Sequence, residues 1–184
     1  MYQPIHKAFR PLIGLPAWSV RRGHGSFLTL EFGSPRPDVH QPHRGPRLVG
    51  NTVVERIVRR EGPAPRGEWH LWIYLSSWSV HRNDHVVGTS DGPLEAIDSA
   101  AAVLEGQALR KVEVLSAPLT TLFHFDRDST LWVTPYEVAA AEPEELWLLY
   151  EPEGMVLTLR ADAHYSHVPG DSTDDRWLPL PEPW

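Results

Sequence analysis

From residue 51 onward a constant offset of 78 residues lays the second half of this 184-residue chain over the first without a gap, and no single motif constrains the fold as much. The offset aligns Trp69 with Trp147, Leu71 with Leu149, Trp72 with Tyr150, Arg82 with Arg160 and Asp84 with Asp162. Before residue 51 the offset is 92 or 93. There LIGLPAWSV (12–20) lies over LEGQALRKV (104–112), and FLTLEF (27–32) lies over TTLFHF (120–125). The first half therefore carries extra residues, and they fall in the Pro-rich stretch SPRPDVHQPHRGPRLVG (34–50), opposite the short DRDS (126–129) of the second half. Self-similarity at a fixed spacing marks a repeated supersecondary unit. Insertions are tolerated at hairpin tips, so the strands flanking each of these stretches are expected to pair.

Each unit reads as strand, turn, strand, loop, strand, turn, strand. The second copy is the clearer: strands over 120–125, 130–136, 146–151 and 155–161, with the turn PEG (152–154) before the last. Pro followed by Glu-Gly sets one backbone angle and then offers a residue free to take positive φ, which favours a reversal. Between the units, SDGPLEAIDSAAAVLEG (90–106) carries a capping candidate at Ser90 or Asp91, Pro93 at a first-turn position, an Ala-rich interior and Gly106 as terminator. The chain is thus expected to be mainly β (α+β), a single domain of two similar four-stranded antiparallel units related by internal duplication. Unit 1 covers 12–89 with the insertion 34–50, unit 2 covers 104–163, and one helix over about 93–105 connects them. Residues 164–184 begin as a strand and end as a Pro-rich extended tail, whose Trp177, Leu178, Leu180 and Trp184 are expected to strap across a sheet edge.

Within this frame the aromatic run EWHLWIYLSSWSVH (68–81) reads as a hairpin reversing near 74–76. Trp69, Leu71 and Ile73 share one face, and His70, Trp72 and Tyr74 the other. The face that recurs at the 78-residue offset is read as core. The other is where a binding role would sit, with Trp78 as a neighbour, although burial between the units is the readier account of those rings.

Composition narrows the functions. Hydrophobic residues at 41% with 22% charged residues fit an ordinary packed domain. Absence of cysteine excludes disulfides, thiolate catalysis and cysteine-held metals. No apolar run approaches the roughly 20 residues of a membrane helix, and the start lacks a signal-peptide layout, so no membrane association and a cytoplasmic location are expected. A formal charge of −7 argues against nucleic-acid binding and fits a basic partner. All cations but Lys7 and Lys111 are arginines, in keeping with a GC-rich bacterial source.

The pattern over 104–159, with Gly106, Val112, LFHF (122–125), LWV (131–133), Trp147 and the PEG turn, resembles small β-rich units of bacterial proteins, some of them similar to immunity proteins that neutralise polymorphic toxins. The resemblance implies architecture and a protein partner and carries no catalytic residue across.

Candidate chemistry is sparse. His40 and His43, His81 and His85, and His164 and His167 invite a metal, but strand geometry separates His81 from His85 by about 13 Å and turns His164 and His167 to opposite faces, and His40 and His43, in the Pro-rich insertion, read as ordinary solvated histidines, so no metal and no cofactor is expected. Arg22 and His24, in RRGHGS (21–26), mark a turn able to present N–H groups to an anion, or simply a turn. No G-x-S-x-G or H-E-x-x-H motif occurs. The expectation is a non-enzymatic binding protein with a protein partner, using Arg22, His24, His70, Trp72, Tyr74 and Trp78. The alternative is a small-molecule site or enzyme in a cleft between the units.

Overall fold

The computed structural model describes residues 3–36, 65–136, 142–173 and 176–181. Two antiparallel sheets face each other. Strands β1 (Trp18–Arg22), β2 (Leu28–Phe32), β3 (Trp69–Ile73), β9 (Glu145–Tyr150), β10 (Met155–Arg160), β11 (His164–Pro169) and β12 (Leu178–Pro179) form a seven-stranded sheet in the order β1-β2-β3-β9-β10-β11-β12. Strands β4 (Ser77–Arg82), β5 (His85–Thr89), β6 (Leu109–Ser116), β7 (Leu119–Phe125) and β8 (Ser129–Thr134) form a five-stranded sheet in the order β5-β4-β8-β7-β6. Two helices complete the described residues: α1 (Gln3–Phe9), continued by a short 3-10 turn, and α2 (Leu94–Leu104).

The mainly β class and the helix over 94–104 are as expected, but a second short helix, α1, is not, and the sheets are not the two halves. Each takes strands from both. The offset of 78 carries β4 onto β10 residue for residue, yet β4 pairs with β8 and β10 with β9. The stretch 68–81 accordingly does not form a hairpin. Tyr74 and Leu75 donate backbone N–H groups to Leu146 and Glu145, so the chain continues along β9 before Ser76 turns it into the opposite sheet. The crossing lets Leu71 and Ile73 from one layer and Trp78 and Val80 from the other bury their side chains in the same core. The expected partner of β2 beyond the insertion lies outside the described residues, and within them β3 pairs with β2.

Alternation builds the rest of the core. Leu28, Leu30, Phe32, Trp147, Leu149, Leu157 and Leu159 point inward from the larger sheet, and Leu109, Phe123, Phe125, Leu131 and Val133 from the smaller. Helix α1 closes one end through Phe9, whose ring meets Phe123 and Trp147 edge-on at 5.6 and 5.5 Å. Helix α2 lies against β5 of one sheet and β1 of the other. Its N-terminus differs from expectation: Pro93 takes the cap position without a side-chain cap, because the Ser90 hydroxyl accepts the Trp78 backbone N–H instead. Gly106, at φ +73°, ends the helix as expected.

The close approach of α2 to β5 requires glycine at position 88. A Cβ there would meet the Ala96 carbonyl oxygen and lie 3.0 Å from the Ala100 methyl. Gly88→Ala is expected to lower the unfolding free energy by about 2 kcal/mol, read by urea titration, because backbone must shift to admit it. The hairpin at Pro152–Gly154 forms as predicted, with Gly154 at φ +79°. Leu178 and Pro179 pair with Tyr165 and His164, and Trp177 lies under the Arg160 guanidinium at 4.3 Å.

Candidate functional site

The six residues singled out by sequence do not converge. Arg22 ends β1 and bonds Asp98 of α2 at 3.1 Å. His24 sits exposed in the β1–β2 hairpin, where its carbonyl accepts the Phe27 N–H. Trp78 is core, 3% exposed, with Nε1 donating to the Ser26 carbonyl at 2.6 Å. His70, Trp72 and Tyr74 do come together, on the outer face of the seven-stranded sheet. There the Trp72 and Tyr74 rings are 4.6 Å apart, Phe27 lies 4.6 Å from Tyr74, and Tyr150 lies 5.5 Å from His70.

This outer cluster is closed by its own contacts. His70 Nδ1 is 2.7 Å from Glu31 Oε1, while Glu31 Oε2 accepts the Gly67 N–H at 2.9 Å. Both residues are buried. Burial alone would raise the Glu31 carboxyl, but the hydrogen bond and positive field of His70, the Gly67 N–H and Arg66 outweigh it and hold the group below its ordinary value. Tyr74 is pushed up to about 12 by burial first and then by Glu145, and Tyr150 to about 12 by burial against the opposing pull of Arg66. These phenols stay neutral, and the rings serve as packing.

A second surface, which sequence reasoning passes over, is open. Alternation in the five-stranded sheet sends Ser79 and His81 of β4, Thr130 and Trp132 of β8, His124 of β7, and Lys111, Glu113 and Leu115 of β6 outward. Trp132 is 40% exposed, Leu115 46% and Val86, beside His81 in the ladder, 57%. His81 stacks on Trp132 at 5.1 Å and 33°, and its Nε2 lies 2.9 Å from the Ser79 hydroxyl. Glu113 takes Lys111 Nζ at 2.6 Å and His124 Nε2 at 2.8 Å, and His124 Nδ1 lies 3.3 Å from the Thr130 hydroxyl. Its carboxyl is held below the usual range, first by Lys111, with burial opposing and His124 adding. The face therefore combines an aromatic-imidazole stack, aliphatic side chains and one internally neutralised charge cluster.

No carboxylate among the described residues is bonded to His81, so the Ser79–His81 contact lacks the group that orients a catalytic imidazole. Among the described residues no three His, Asp or Glu side chains gather as a metal site, and His40 and His43 lie outside them. Two surface recesses, of about 390 and 410 Å³, lie elsewhere: one by Pro11, Leu15, Glu68 and Trp69, the other between β1 and α2 by Arg22, Asp98 and Glu105. Among the described residues no helix is long and apolar enough to cross a membrane.

No protein-family model, curated protein or solved structure matches the chain.

Proposed function

We propose that this is a non-enzymatic binding protein that engages another protein through the outer face of its five-stranded sheet. The observation that carries the reading is the exposed Trp132, stacked on His81 and opposite the Ser79 position, on a face that also exposes Val86 and Leu115. Exposed tryptophan with adaptable polar neighbours is the composition that anchors protein interfaces. The charge of −7 fits a basic partner, which it would steer in solution. A cytoplasmic immunity-type role against a basic toxin domain, in a bacterial protein whose halves arose by duplication, is the specific form we favour. Nucleic acid and membranes are not partners in this reading.

The test uses the purified product of the adjacent gene as probe, with calorimetry. Trp132→Ala is expected to weaken its binding by about 2 kcal/mol, roughly thirtyfold, while Arg22→Ala leaves it unchanged. Equal affinity for wild type and Trp132→Ala contradicts the assignment. So does a metabolite or metal that raises the melting temperature of the whole chain in a dose-dependent way.

A further inference from the structure

Sheet edges invite pairing with other chains, and natural proteins blunt them. Three of the four edges here are blunted. At β1 the Glu105 carboxylate accepts the Ser19 and Val20 N–H groups at 3.1 and 2.7 Å, beside an irregular register. Strand β12 is two residues long and contains Pro179, and β5 is short, with a bulge in its pairing to β4. The fourth edge belongs to β6, at eight residues the longest strand among the described residues, and among them only its start is covered: Gly14, Leu15 and Ala17 bond the backbone of Leu109 and Gln107.

Backbone alternation fixes which β6 groups point away from the sheet. The Asp126 N–H donates to Ala108, so the even-numbered residues of β7 face β6, and their partners Lys111, Glu113 and Leu115 bond inward. The Ser90 N–H to the Trp78 carbonyl sets the same phase from the far side of the sheet. Val112, Val114 and Ser116 therefore turn N–H and C=O outward, with no partner among the described residues.

We propose that this edge pairs with the same edge of a second copy, antiparallel, about a two-fold at Val114. Three outward residues spaced evenly about Val114 match every donor to an acceptor, giving about six backbone hydrogen bonds. Neighbouring registers fail. A two-fold at Val112 drives the second copy's Leu115 and Ser116 into the segment 14–17, and one at Glu113 opposes two Glu113 carboxylates. About Val114, each exposed Leu115 instead lies against the Glu113 stem of the other copy, and the two outer faces become one continuous surface. The contact is small, below about 1,200 Å² in total, so dissociation in the micromolar range is expected.

Sedimentation equilibrium of the full chain tests this, with melting curves confirming that each variant is folded. Wild type is expected to dimerise reversibly. Leu115→Asp, which sets like charges opposite each other twice, weakens the dimer about tenfold, and Leu115→Arg, which sets Arg opposite Glu113 twice, tightens it about tenfold. Val114→Pro removes an outward N–H while sparing the β7 ladder and abolishes the dimer. Wild type that stays monomeric at every concentration overturns the proposal. So does a dimer weakened by both Leu115 substitutions, or one indifferent to all three; the exposed Leu115 site decides the matter even if Val114→Pro does not fold.

Discussion

Replacing Trp147 with alanine is expected to lower the unfolding free energy by about 4 kcal/mol. The side chain is fully buried on β9, and its ring packs edge-on against Phe9 of α1 and Phe123 of β7, at 5.5 and 6.1 Å. It thus ties both sheets and the N-terminal helix at one point. Its Nε1 donates to the Thr121 hydroxyl at 2.9 Å, and Thr121 is itself fully buried, so truncation leaves a cavity and a hydroxyl with one bond fewer. Urea unfolding followed by circular dichroism reads the loss. Trp132→Ala, on the open face, is the control and should cost within about 0.5 kcal/mol. A Trp147→Ala cost no larger than that of the control contradicts the packing described.

Glu31→Ala should cost a comparable amount, about 3 to 5 kcal/mol, because it strands His70 in a buried site and removes the acceptor of the Gly67 N–H. The pair also predicts an acid limb. The Glu31 carboxyl titrates lower in the folded chain than its ordinary 4.5, so its contribution is fully present above pH 4.5 and is lost as pH falls through the lower folded value. Urea midpoints measured between neutral pH and the acid limb should fall below pH 4.5 in wild type, and less steeply in Glu31→Gln. Parallel profiles for the two proteins would show that Glu31 is not ionised in the fold.

Strand positions are legible in the sequence because period-two alternation and turn chemistry are local. Strands β4, β7, β8 and β10 and the Gly154 turn fall where LFHF, LWV and PEG place them. Pairing is not local, and there the reading stops. Trp69 and Trp147 recur at the offset, yet their strands lie side by side in one sheet, and nothing in a hydrophobic pattern distinguishes a hairpin at 74–76 from a crossing between layers. The same gap hid the open face. The dense aromatics of 68–81 point to His70, Trp72 and Tyr74, but His70 packs on Tyr150 and the other two on each other and on Phe27, while Trp132 stands in LWV as one strand residue among others. Its exposure follows once Leu131 and Val133 are assigned inward. His81, set against His85 as a metal ligand, finds its neighbour on another strand instead.

Titration of the ¹⁵N-labelled chain with the product of the adjacent gene tests the binding face most directly. Amide shifts are predicted to concentrate at Ser79 to His81, Leu122 to His124 and Thr130 to Trp132, across the outer face of the five-stranded sheet. Shifts centred on His70, Trp72 and Tyr74 would place recognition on the other sheet and contradict the account.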